Sequence, residues 1–156
     1  MAISESDIID LTKVKKDILQ ENVNIVKAKV HDALSSAVES YYSSASPGTY
    51  GRTNSFSNFA NVVPTESWSE DSVSLTFTFD SGMVSVNSWN APWGTTYPGD
   101  SEQAFTKAYD FGLHGGPKPV WNSHTGYNFG SWTWGSTQMS EPLGRAIERS
   151  LLSIEI

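Results

Sequence analysis

Three histidines, His31, His114 and His124, are the side chains best suited to hold a metal, and Asp110 could join the last two as a third ligand. No short helical spacing brings these residues together. His31 sits in a helical run between polar positions and reads as a surface or packing residue. His114 falls where a predicted helix ends, a place that favours a cation through the helix dipole. Glu66, Glu70, Asp71, Asp100, Glu102 and Asp110 could supply an acid/base pair of the glycosidase kind. Glu70-Asp71 instead reads as a solvated turn before a strand, and Asp100 with Glu102 as the start of a helix. Serines are abundant, but no Gly-x-Ser-x-Gly elbow occurs. Gly112, Gly115 and Gly116 match no phosphate-cradling pattern. The absence of cysteine removes disulfides, thiolate metal sites and a thiol nucleophile. The expectation is a protein that is not an enzyme and uses no metal or cofactor.

The strongest chemical signal is aromatic. Trp89, Trp93, Trp121, Trp132 and Trp134 lie in or beside a stretch rich in Gly, Ser, Thr and Asn. From Phe111 to Ser140 the only formally charged side chain is Lys118. Aromatic planes among hydroxyl and amide groups suit stacking on sugar rings, so a glycan-binding module is one reading. Trp and Tyr are also enriched at protein interfaces, where one end packs and the other forms a hydrogen bond. A glycan binder is more often all-β and secreted, whereas this chain opens with a long helical pattern. The interface reading assigns Trp121, Tyr127, Phe129, Trp132 and Trp134 to contacts with other subunits.

The chain has 156 residues, with 38% hydrophobic and 12% aromatic side chains, enough to build one real core. Its net charge is −7. Lys13, Lys15, Lys16, Lys27 and Lys29 are interleaved with Asp10, Asp17, Glu21 and Asp32, so no basic stripe suited to sequence-specific nucleic-acid binding forms. The first residues, MAISESDIIDL, lack the basic and apolar regions of a signal peptide. No stretch approaches the ~20 apolar residues of a membrane span. These features imply a soluble protein made in a cytoplasm, with no membrane partner.

The expected architecture is α+β: a long N-terminal helix packed on a small antiparallel sheet, with a further helix, an aromatic loop and a C-terminal helix, in one domain over residues 1–156. The long helix is expected over residues 10–44, with Asp10 as N-cap and Pro47-Gly48 as stop. Leu11, Val14, Ile18, Asn22, Val26, Val30, Ala33, Ala37 and Tyr41 recur every three or four residues, and Leu19, Val23, Leu34 and Val38 widen the stripe. Such a rod spans about 50 Å unless it bends or divides, so part of it can pack on a neighbour. Phe56, Phe59 and Val63 can line a short helix capped by Asn54 or Ser55 and ended by Pro64. Alternation of Val73, Leu75, Phe77 and Phe79 with Ser74, Thr76 and Thr78 predicts a hairpin over 72–89, turning at Asp80-Ser81-Gly82 and returning through Val84 and Val86. A helix over 101–113 carries Ala104, Phe105, Ala108, Tyr109 and Phe111, capped by Asp100 or Ser101 and ended by Gly115-Gly116. Residues 114–139 form the aromatic loop. Residues 140–152 form an amphipathic helix with Leu143, Ala146, Ile147, Ser150 and Leu151 on one face, and Ile154 to Ile156 a short strand or tail.

This order of elements resembles the small tail-completion or neck proteins of long-tailed bacteriophages. Tyr50-Gly51-Arg52-Thr53-Asn54-Ser55-Phe56 is similar to that family's Tyr-x-Arg-Thr-Gly-x-Leu turn, and Ser57 and Asn58 fit its polar continuation. Arg52 and Thr53 are the cleanest matches. Asn54 stands where glycine is usual, and Asn is the non-glycine residue that best tolerates positive φ. Phe56 replaces leucine and keeps the apolar role, and His114-Gly115-Gly116 resembles a late element of some members. The resemblance implies a structural virion component that forms a ring between head connector and tail. Its implied partners are other copies of itself and other phage neck, connector and tail proteins. It further implies that Arg52 bridges the long helix or a neighbour and that Thr53 caps the short helix.

Overall fold

From Glu5 to Ser43 no glycine or proline interrupts the chain, and a computed structural model shows one helix, α1, over all 39 of these residues. The structure describes residues 5–44, 53–90, 93–112, 120–122, 126–128 and 141–155. At about 1.5 Å per residue α1 is about 58 Å long. It starts before Asp10, so Asp10 lies inside the helix and does not cap it. At the other end Ser44 Oγ donates to Tyr41 O at 2.6 Å, satisfying one of the carbonyls that a helix end leaves unpaired.

A seven-residue 3-10 helix over Ser55–Asn61 follows and buries Phe56, Phe59 and Ala60. Asn54 precedes it at φ 57, the left-handed conformation expected of the residue replacing glycine. The helix ends at Asn61, short of Pro64, and Val63 is 83% exposed, so Val63 does not share the buried face of Phe56 and Phe59.

The hairpin differs from expectation. Strand β1 (Thr65–Trp68) pairs antiparallel with β2 (Val73–Thr76), with Thr65 opposite Thr76 and Trp68 opposite Val73. The tight turn lies at Ser69–Ser72, where Ser69 N–H donates to Ser72 O at 2.9 Å and Ser72 N–H donates to Ser69 Oγ at 3.1 Å. The expected return strand over 84–88 is absent. Asp80 Oδ1 instead accepts from Gly82 N at 2.8 Å and closes a short 3-10 turn over Ser81–Met83. The alternation itself holds: Val73, Leu75, Phe77 and Phe79 are half-buried while Ser74, Thr76 and Thr78 are exposed. Only its pairing partner was misplaced.

Two further short antiparallel pairs follow, β3 (Trp89–Asn90) with β4 (Thr96–Tyr97), and β5 (Val120–Asn122) with β6 (Gly126–Asn128). Between them α2 (Ser101–Thr106) is capped by Asp100, whose carboxylate accepts from Gln103 N at 2.9 Å. It widens into a π-turn over Lys107–Phe111 and stops at Gly112 with φ 93. Gly112 therefore takes the role expected of Gly115-Gly116, which lie outside the described residues. Helix α3 (Leu143–Leu152) packs on α1 and on the π-turn, burying Leu143, Ala146 and Ile147 as its pattern requires. The described tail, Ile154 and Glu155, is not a strand.

The core gathers the C-terminal half of α1 (Val30, Leu34, Ala37, Val38, Tyr41), the 3-10 helix, Val84, Ala108 and the inner face of α3. Phe59 is its centre at 0% exposure, with ring centroids of Phe79 at 5.2 Å, Phe56 at 5.6 Å, Phe105 at 6.0 Å and Tyr109 at 6.4 Å. Gly144 lets α3 approach this cluster closely, since a Cβ there would sit 2.8 Å from the Tyr109 ring. The fold is α+β, with a long N-terminal helix, small antiparallel sheets, further helices and a C-terminal helix.

Candidate functional site

The Thr53-Asn54-Ser55 turn joins two distant parts of the chain. Thr53 Oγ1 donates to Ser85 O at 2.7 Å, and Ser55 Oγ reaches the same carbonyl at 3.1 Å. Asn58 Nδ2 donates to Met83 O at 2.9 Å. Phe56 N–H donates to Tyr42 Oη at 3.0 Å, tying the turn back to α1. Thr53 was expected to cap the short helix. The residue at the cap position is Asn54, without a side-chain cap bond; Thr53 Oγ1 accepts from Ser55 N at 3.4 Å, a long form of the expected cap, while its hydroxyl proton goes to Ser85 O. The left-handed Asn54 redirects the chain sharply between Thr53 and the 3-10 helix. Arg52 lies outside the described residues.

A second feature lies on α1. Val14 is 53% exposed, Ile18 54% and Ile25 44%, while Val23, Val30, Leu34, Ala37, Val38 and Tyr41 are buried. The sequence pattern placed Val14 and Ile18 on one stripe with Val30. The structure separates them, because steps of four residues advance about 40° beyond a full helical turn each time. Through Val14, Ile18, Asn22, Val26 and Val30 that drift accumulates to about 160°. The N-terminal half of the helix thus carries an apolar stripe off the core. Ile25 was missed in the sequence reading, although its spacing of seven from Ile18 was its signal.

The β1–β2 hairpin meets α1 through two ion pairs, Lys27 with Glu66 and Lys15 with Asp71. The Lys27 ammonium and the Trp68 indole N–H (2.9 Å) both donate to the Glu66 carboxylate and hold its pKa below the usual glutamate value. The Lys15–Asp71 pair is well exposed on both sides and worth little. Lys29 donates to the backbone carbonyl of Glu155, fixing the end of the described chain against the same helix.

The aromatic segment is described only at β5 and β6, where Trp121 and Tyr127 stand opposite each other in the ladder. Phe129, Trp132 and Trp134 lie outside the described residues, as do His114 and His124. Trp93, one of the tryptophans behind the glycan-binding reading, is exposed, as are Trp68 and Tyr97, which were not expected at a site. Among the carboxylates weighed for acid/base chemistry, Asp100 caps α2, Glu66 pairs with Lys27, and Asp71 pairs with Lys15 at the hairpin turn. His31 is exposed and lies 3.3 Å from the neighbouring Asp32 carboxylate. Among the described residues no three His, Asp or Glu side chains converge as a metal site, and no helix is long and apolar enough to cross a membrane. In comparisons with known proteins, no family model, no curated protein and no solved structure matches the chain.

Proposed function

We propose that the chain is a structural virion component of the tail-completion or neck kind, a subunit that builds a ring between head connector and tail. The observation that carries this reading is α1: a 39-residue helix that buries one face in the core from Val23 to Tyr41 and leaves Val14, Ile18 and Ile25 exposed on another. Apolar stripes of this kind are unfavourable in a free monomer and stabilising when covered by a neighbouring subunit. The left-handed Asn54 in the Arg52-Thr53 turn supports the resemblance at the one position where the sequence departs from glycine. Trp121, Tyr127, Phe129, Trp132 and Trp134 are assigned to the same kind of contact, with other copies and with neck, connector and tail proteins.

Native mass spectrometry and negative-stain microscopy of the purified chain test the proposal, together with antibody-gold labelling of particles made in cells that carry its gene. Closed rings, and label at the head–tail junction, are the expected result. A strictly monomeric chain that is absent from particles and binds oligosaccharides on a glycan array would sink it and favour the glycan-binding reading of the tryptophan segment.

A further inference from the structure

The apolar stripe of α1 has charged borders of opposite sign. By the turn of about 100° per residue, Val14, Ile18 and Ile25 cluster within about 40° of arc, about 150° round the helix from the line of Val23, Val30 and Tyr41 that enters the core. Lys15 and Lys29 lie along one border, and Asp17, Glu21 and Asp32 lie along or just outside the other. Lys15 and Lys29 each hold one contact within the chain, and a lysine ammonium has three donors, so both can serve a second acceptor.

We infer that this stripe is covered by the same stripe of a second copy of the chain, with the two α1 helices side by side and parallel. The borders choose both occupant and direction. When two identical helices face each other in parallel, the right-hand border of one lies beside the left-hand border of the other. Lys15 then stands beside Asp17 and Glu21 of the second copy, and Lys29 beside its Asp32. In an antiparallel pair like borders meet, placing lysine against lysine and carboxylate against carboxylate. Parallel coiled coils use the same device to fix orientation. The seven-residue interval from Ile18 to Ile25 keeps both isoleucines on the seam of such a pair. This pairing rests on the assembly reading above and adds a contact to it: a like-to-like contact closes at two copies, so a ring is built from such pairs through a second, different contact.

The chain has no cysteine, so single thiols can be introduced cleanly. Val14→Cys and Ile25→Cys, each oxidised alone in the full chain, should give disulfide-linked dimers, because a parallel in-register pair brings identical positions together. Asn24→Cys, exposed on another face, should not. Ile18→Asp should weaken self-association at least tenfold by sedimentation while leaving the circular dichroism spectrum unchanged, since Ile18 is outside the core, and should melt with the unaltered chain at concentrations where both are monomeric. If crosslinking occurs only when Val14→Cys and Ile25→Cys chains are mixed, the pair is antiparallel and the inference is overturned. If rings form in the microscope but none of these variants responds, the stripe is not the contact, although assembly stands. If the chain is monomeric at every concentration and no thiol crosslinks, the inference and the assembly reading fall together.

Discussion

Replacing Phe59 with alanine tests the core on which every surface depends. Phe59 is fully buried and touches four aromatic rings contributed by the 3-10 helix, the segment after β2, α2 and the π-turn. A large-to-small change of this kind costs about 3–5 kcal/mol. Each ring pair adds ~0.5–1.5 kcal/mol beyond area burial, which puts Phe59→Ala at the upper end, about 4–5 kcal/mol. Against a total stability of ~5–15 kcal/mol this is a large fraction. With a urea slope of ~2 kcal/mol/M the unfolding midpoint should fall by roughly 2 M. The melting temperature should fall by at least about 8 °C. Phe59→Leu keeps much of the apolar volume but loses the ring contacts, and should cost about 1–2 kcal/mol. A loss below about 1 kcal/mol for Phe59→Ala, with an unchanged slope, would refute the view that this ring organises the core.

Three further perturbations probe the backbone and the hairpin. Asn54→Ala places a Cβ-bearing residue without a local polar partner at φ 57 and should cost ~1 kcal/mol, while Asn54→Gly should be neutral or stabilising; equal melting temperatures for the two would remove the left-handed turn from the account. Gly144→Ala improves helix propensity by up to about 1 kcal/mol, but its Cβ meets the Tyr109 ring at 2.8 Å. Overpacking costs ~1–3 kcal/mol, so a net loss in thermal denaturation is expected and a gain would contradict the close packing. The Glu66 carboxyl, followed by NMR, should titrate below the ordinary value of about 4.3, and Lys27→Met should raise it. Because the folded value is depressed, the stabilisation is present above the unfolded value and lost as pH falls through the folded one, so Lys27→Met should flatten the acid side of the stability curve. An identical midpoint in both proteins would show that Lys27 does not hold the carboxylate.

The sequence patterns with local causes were legible. Gly- and Pro-free helical periodicity marked α1, an acidic cap marked α2, and the spacing of Leu143, Ala146 and Ile147 marked the buried face of α3. What was not legible depended on competition between distant or equivalent local choices. Residues 73–79 have the alternation of a strand whichever neighbour pairs with them, and the serine turn at 69–72 captured β2 before the Asp80 turn could. Thr53 has the chemistry of a cap and its oxygen does accept from Ser55 N at 3.4 Å, but its shorter bond, donated to Ser85 O at 2.7 Å, reaches a carbonyl 32 residues away. Val14, Ile18 and Val30 share a four-residue rhythm, and only the slow rotation of that rhythm about the helix axis reveals that they face different surroundings. Of the expected contact residues, Thr53 and the backbones of Trp121 and Tyr127 fall within the described chain, and their placement could not be read from composition.

Helix α1 is continuous in geometry but divided in its supports. From Val30 onward its backbone hydrogen bonds are locked by a packed core, whereas the turns around Val14 and Ile18 are held by helix propensity and by long lysine side chains reaching the hairpin. Isolated helical segments of this length are marginal in water. Amide protons in the first half should therefore exchange with solvent through local fraying, and those in the second half only when the whole fold opens. One rod thus contains a rigid handle and a yielding blade, and a subunit built this way can adjust its blade to a neighbour without disturbing the core that holds the handle.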